Sequence, residues 1–184
     1  MIGENVAQLL QAPVGTSRSY RLDEDEPALA EELGLTSPIV GTLKFTRTNH
    51  GILAEARYSV EIEQECGRCL EPARETIQSE LSEEFLPSLN IVTGTPVNIE
   101  ADPEAPRLTA NHELDLTESL RQDIVVQMPL QPLCRPDCPG LCPECGAELG
   151  AGACACAPDE APLSDNPQLS RLGELLKAQL PPGS

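Results

Sequence analysis

Eight cysteines constrain this chain more than any other feature of it. Six fall within 23 residues as Cys134-xxx-Cys138-xxx-Cys142-xx-Cys145-x8-Cys154-x-Cys156, and two stand upstream as Cys66-Gly-Arg-Cys69. A tetrahedral ion such as zinc takes four thiolates at about 2.3 Å, and CxxC turns brought from separate stretches of a chain are their usual source. Eight thiolates fill two such sites with none left over. The expected cofactor is therefore two Zn2+ ions with four Cys each; iron suits four thiolates equally well by ligand type, so the metal stays open.

Spacing also suggests how the ligands divide. In Cys142-Pro143-Glu144-Cys145-Gly146 the proline and glycine favour a knuckle whose backbone N–H groups point at sulfur and stabilise the thiolate. Its natural complement is Cys154-Ala-Cys156, reached through a loop that Gly150 and Gly152 leave free to fold back. A CxC pair in a regular strand would send its sulfurs to opposite faces, so this pair belongs in a turn. Cys66 and Cys69 are then left for Cys134 and Cys138, a clip across about 65 residues of chain. The even string from 134 to 156 leaves an exchange of ligands between the two sites open.

Metal matters here because the apolar core is modest. Among 184 residues there are two Phe, two Tyr and no Trp, so Leu, Ile and Val must supply the burial, with metal cross-links offsetting the shortage. The net charge is −18, and two zinc-tetrathiolate centres would carry it to about −22. Such a surface repels phosphate, and few aromatics remain for base stacking, so direct RNA binding is a poor default. A basic protein partner suits it better. The run Asp23-Glu24-Asp25-Glu26 by itself reads as a solvated, solubilising segment. The opening residues have no basic region followed by an apolar stretch, and nothing approaches the length of a membrane span. A cytoplasmic location is expected, where thiols stay reduced.

Patterning along the chain predicts an α+β body. Val6, Leu9 and Leu10 suggest a short helix ended by Pro13 and Gly15, and Ser17 to Leu22 a strand. From Pro38 the period becomes two. Leu43 and Phe45 alternate with Thr42, Lys44 and Thr46, then Asn49-His50-Gly51 makes a turn, and alternation resumes from Ile52 to Ile62 with Glu55, Arg57, Ser59, Glu61 and Glu63 on the opposite face. After the tight 66–69 turn, Ile77, Leu81 and Phe85 recur every four residues, which suits a helix or one face of a strand; the turn favours a returning strand. Residues 88 to 113 read as an irregular excursion, with a short strand at Val97 to Ile99. Asp115-Leu-Thr-Glu118 resembles a capping box, opening a helix whose stripe Leu116, Leu120, Ile124 and Met128 should dock on the sheet before Pro129 ends it.

Three regions follow: a body over 1–133 made of a small antiparallel sheet with one packed helix, a cysteine-rich zinc-knuckle module over 134–158, and a linker with a C-terminal helix over 159–184. That last helix would carry Leu169, Leu172, Leu175, Leu176 and Leu180 between Asn166-Pro167 and Pro181-Pro182. The 134–158 stretch is too poor in apolar residues to fold without metal.

Other readings of the thiols compete. Cys66-Gly-Arg-Cys69 has the spacing of a redox dithiol, so a thiol-disulfide redox protein or redox-gated regulator is the alternative function. Against it, a strand precedes the pair, and Glu65 and Glu71 oppose thiolate formation. Disulfides would suit an exported protein. A metallohydrolase needs an open coordination position, whereas four cysteines per ion fill every one. His50 in a turn and His112 in a loop read as surface residues, Glu61, Glu63 and Glu65 as a solvated strand face, and neither a phosphate-binding loop nor a nucleophile elbow is present. No enzyme activity and no small-molecule substrate are expected.

The stretch from Leu114 through Asp-Leu-Thr-Glu-Ser-Leu-Arg-Gln-Asp-Ile-Val-Val-Gln-Met-Pro-Leu-Gln-Pro-Leu to Cys134, continuing as Gly140-Leu-Cys-Pro-Glu-Cys-Gly146, resembles the YceD family, known for large ribosomal RNA subunit accumulation. Cys66-Gly-Arg-Cys69-Leu70 and the opening Asn5-Val-Ala-Gln-Leu-Leu10 are similar to it too. The resemblance implies a bacterial or plastid protein that supports accumulation of 23S ribosomal RNA, with no established catalytic activity. Shorter members of that family keep the middle cysteine pair and lack the CPxCG knuckle, which agrees with two separable sites. The resemblance and the charge together imply a non-catalytic zinc-binding factor in large-subunit biogenesis, acting through a basic protein partner such as a ribosomal protein or an rRNA-processing factor.

Overall fold

The computed structural model describes residues 2–97, 105–152 and 154–156. It falls into two compact units, Met1–Pro139 and Gly140–Ser184. Residues 134–139 thus go with the body and not with the cysteine-rich module expected to begin at 134. The reason is local: Cys134 and Cys138 lie against Cys66 and Cys69. The linker and C-terminal helix expected over 159–184 lie outside the described residues.

The first unit is α+β. Its order is β1 (Gly3–Asn5), α1 (Ala7–Leu10), β2 (Ser17–Glu24), α2 (Pro27–Leu33), β3 (Ile39–Arg47), β4 (Ile52–Glu65), β5 (Pro72–Phe85), β6 (Glu113–Asp115) and α3 (Thr117–Gln127). β2 to β5 form an antiparallel meander, each strand beside its neighbour in sequence. Alternation explains the register. Phe45 faces Ala54, and Leu43 faces Ala56, which faces Leu81, so that small residues on β4 receive large ones from both sides on the buried face. On the open face Lys44 pairs with Glu55, Arg57 with Glu80 and Arg74 with Glu63, at 2.8–2.9 Å. Exposed as they are, these ion pairs contribute little to stability and mainly fix register.

The returning strand drawn after Pro72 is β5, paired with β4 along its whole length from Glu65↔Pro72 to Ile52↔Phe85. Two features of the sheet end were not expected. α2 closes on Gly34, whose φ of 68° a glycine adopts without cost, and a Cβ there would meet the Glu63 carbonyl at 2.6 Å. That carbonyl faces it because the Glu63 N–H donates to the Gly34 carbonyl at 2.8 Å. β1 and β6 pair as a separate two-stranded ribbon, Gly3 opposite Asp115. Of the excursion after β5, residues 88–97 form a small loop in which Asn90 Oδ1 accepts from the N–H groups of Val92 and Thr93. Val97 donates its N–H to Ser88; the rest of the strand expected at Val97 to Ile99 lies outside the described residues.

α3 carries the expected stripe. Leu116, Leu120 and Ile124 are wholly buried, with Met128 packed at the margin. The capping box did not form as read. The helix starts at Thr117, and Asp115 Oδ1 accepts from the Thr117 N–H and hydroxyl at 2.9 and 2.6 Å. Glu118 does not reach back to the cap because Arg121 and Gln122 engage it first. Thr117 Oγ1 instead accepts from the Ile2 N–H, tying the chain start to the helix. Tyr58 Oη donates to Asp123 Oδ2 at 2.6 Å, and burial first, then this bond, holds the phenol well above its usual pKa. Truncating the stripe by Ile124→Ala should cost about 2–5 kcal/mol. Urea unfolding with an unchanged slope and a lower midpoint is the expected reading.

Candidate metal centres

The first cluster is built at the end of the β4–β5 hairpin. Cys66 follows Glu65 directly, its N–H donates to the Glu71 carbonyl at 2.8 Å, and the Leu70 N–H returns to the Cys66 carbonyl at 3.0 Å, closing the Cys66–Cys69 turn. The second arm arrives from α3. Pro129 lets the chain leave the helix, the Pro132 carbonyl accepts from the Gly67 N–H at 2.8 Å, and Arg68 Nη1 donates to the Cys138 carbonyl at 2.8 Å. These bonds bring Cys66 Sγ to 3.8 Å from Cys138 Sγ and Cys69 Sγ to 3.5 Å from Cys134 Sγ. All four sulfurs lie within 4.8 Å of one another, with Cys66, Cys69 and Cys138 buried and Cys134 exposed.

The second cluster lies wholly within the second unit. The Cys142 N–H donates to Ala147 and the Gly146 N–H to Cys142, at 2.8 and 2.9 Å, while Leu149 returns to Gly140 and Leu141 bridges Glu148. Gly146 has a φ of 72°, which the knuckle requires. Cys142, Cys145, Cys154 and Cys156 again have their sulfurs within 4.8 Å of one another. Here Cys142 is buried, Cys145 exposed, and the other two between. The four-and-four division is the one that spacing suggested. No histidine belongs to either set among the described residues.

Both sets fit a thiolate-bound ion. Four sulfurs held at about 2.3 Å from one centre stand about 3.8 Å apart, close to the separations seen, whereas a disulfide needs about 2.05 Å. All eight cysteines are free thiols. Proton affinities point the same way. The backbone N–H of Cys134, together with those of Arg68 and Cys69, draws the Cys66 thiol down to about 6. The backbone N–H groups of Cys145 and Glu144 draw Cys142 down to about 7. Apart from the Cys134 contact, these bonds come from the second and third residues after the first cysteine, the pattern of a knuckle.

Their neighbours move oppositely. Hydrogen bonding to Cys69 and burial push Cys134 up to about 12, and hydrogen bonding to Cys145 and burial push Cys156 up to about 11. Cys154 rises through Cys142. Cys69 rises too: the Glu71 N–H lowers it, but burial and the thiols of Cys138 and Cys66 outweigh that pull. Cys66 and Cys142 thus ionise readily while Cys69, Cys134, Cys154 and Cys156 resist, because like charges would crowd one small shell. A divalent ion at the centre would remove that obstacle, so that thiolate formation and metal capture would be one event.

Fold and site together define a small α+β protein whose hairpin carries a four-cysteine cluster, followed by a cysteine knuckle in a unit of its own. The chain belongs to the YceD family: the family model described as large ribosomal RNA subunit accumulation protein YceD matches residues 54–176, a span that contains all eight cysteines. It is similar to uncharacterized protein Rv2926c of Mycobacterium tuberculosis, 32% identical over 135 residues, which cover 73% of this chain and 60% of that protein. Uncharacterized protein ML1660 of Mycobacterium leprae is 30% identical over 113 residues, 61% of this chain and 50% of that one. The large ribosomal RNA subunit accumulation protein YCED homolog 1, chloroplastic, of Zea mays is 25% identical over 169 residues, 73% of this chain and 58% of that one. The matched part of this chain thus spans about half to three fifths of the length of these curated relatives. No solved structure matches it significantly. No described helix is long and apolar enough to cross a membrane.

Proposed function

We propose that this protein is a non-catalytic, zinc-stapled factor that supports accumulation of the large ribosomal RNA, working in the cytoplasm through a basic protein partner. The observation that carries the role is membership of the YceD family across both cysteine clusters. Zinc is the ion favoured by four-thiolate, closed sites, and a closed site leaves no coordination position for a substrate, which is why the reading is structural. The net charge of −18 favours a basic protein over the RNA backbone as the direct contact. A redox role for Cys66 and Cys69 draws support from the lowered Cys66 thiol. Burial of both sulfurs weighs against it, since a reactive dithiol must be reached by its substrate, and each of the two has a sulfur of the second arm beside it.

Depleting the protein in its own cells should lower large-subunit ribosomal RNA relative to small-subunit RNA, with recovery on expression of the full chain. An unchanged ratio contradicts the role. The purified protein should bind large-subunit RNA fragments weakly at physiological salt; tight binding that collapses as salt rises contradicts the route through a protein.

A further inference from the structure

Three large aliphatic side chains stand in solvent at the end of the body that carries the first cysteine cluster. Leu70 is 62% exposed, Val126 77% and Leu130 100%. Their backbones are held to one end of the sheet. Leu130 lies between Met128, whose sulfur accepts from Gln64 Nε2, and Pro132, whose carbonyl accepts from Gly67. Val126 is in the last turn of α3, and Leu70 closes the cysteine turn.

Leu70 is the informative residue of the three. Its φ is 66°, in the left-handed region that glycine adopts freely and a side chain adopts at a cost. One residue past the second cysteine of the other CxxC turn, the same backbone conformation is filled by Gly146 at 72°. Both turns need the geometry; only one uses the residue suited to it. Burial does not compensate Leu70, because its side chain points into water. Strain and apolar exposure at one position mark a contact that a partner completes.

We propose that Leu70, Val126 and Leu130 dock a basic amphipathic helix of a partner protein, its apolar stripe covering them and its Lys or Arg side chains meeting Glu65 and Glu71. Both acids flank the turn and are exposed, while the turn's own cation, Arg68, is engaged on the Cys138 carbonyl. An 18-residue helix is about 27 Å long, enough to cross this end of the sheet with anchors spaced three or four residues apart. The inference rests on the protein-partner reading above and names the surface for it.

The test titrates the full-length, metal-loaded, 15N-labelled protein with an 18-residue Leu/Lys helical peptide, and with a Gln/Lys peptide of equal charge as control. Amide shifts should concentrate at residues 64–71 and 126–133 for the Leu/Lys peptide alone. Leu70→Gly should weaken that binding about tenfold, as should Leu130→Ala, a surface change with no backbone consequence. At the same time Leu70→Gly should leave the melting temperature unchanged or raise it by about 2–4 °C, since it relieves strain. Equal shifts with the control peptide, or wild-type affinity in both variants, overturn the docking surface and leave the basic-partner reading standing. Absence of binding to either peptide overturns both. A Leu70→Gly variant that melts lower or loses metal makes Leu70 a structural residue, and the proposal falls.

Discussion

Cys66→Ser should leave the protein with one bound ion in place of two and lower the melting temperature of the body by about 10 °C or more. Cys66 is fully buried, and its sulfur lies at the junction between the β4–β5 hairpin and the segment leaving α3. Loss of a group that merely orients a ligand costs a metal site about 10–100-fold in affinity, so loss of a coordinating thiolate itself should cost at least about a thousandfold. With the ion gone, residues 129–139 are left with few anchors on the sheet beyond the Gly67 and Arg68 hydrogen bonds. The stripe of α3 should hold its helix in place, so the variant is expected to be folded but weakened. Calorimetry with elemental analysis of the same sample reads both effects. A variant that keeps two ions and melts like the wild type contradicts this assignment.

Cys142→Ser should have a large effect of a different kind. Among the described residues from 140 to 156, only Gly140 and Cys142 are buried, so those residues supply no apolar core that would hold the knuckle without an ion. Loss of the metal should collapse the dispersion of its amide resonances, while those of the sheet stay in place and the body melts within a few degrees of the wild type. The two substitutions therefore differ in where damage appears. Equal damage to both regions from either one would mean that ligands are shared across the clusters.

Much of this arrangement was legible in the residues because its signals are local. Alternation from Gly41 to Ile62 is a period-two pattern long enough to fix β3, β4 and their shared face, and the tight cysteine turn selected a strand for β5 where periodicity alone was ambiguous. The knuckle at Cys142 declares itself through its proline and glycine. What escaped was short or non-local. α2 carries Pro27 at its first turn, Leu29 and Leu33 four apart and Gly34 at its end, all readable, but the acidic run before it drew the segment toward solvent. β1 and β6 are three residues each, too few to show a period, and they pair across more than a hundred residues. The capping box failed because Glu118 found Arg121 one turn on, a competition invisible to a motif. Spacing paired Cys134 and Cys138 with the hairpin cysteines, as found; only the boundary expected at 134 differs, since composition groups residues 134–139 with the later module while their sulfur contacts hold them to the body.

X-ray absorption at the metal edge, on protein prepared without chelators and paired with elemental analysis, bears most directly on whether these sulfurs hold ions. Two ions per chain, each surrounded by four sulfurs at about 2.3 Å with no nitrogen or oxygen shell, is the expected spectrum. Metal-free protein that keeps its fold, or a first shell mixing sulfur with water oxygens, would contradict it.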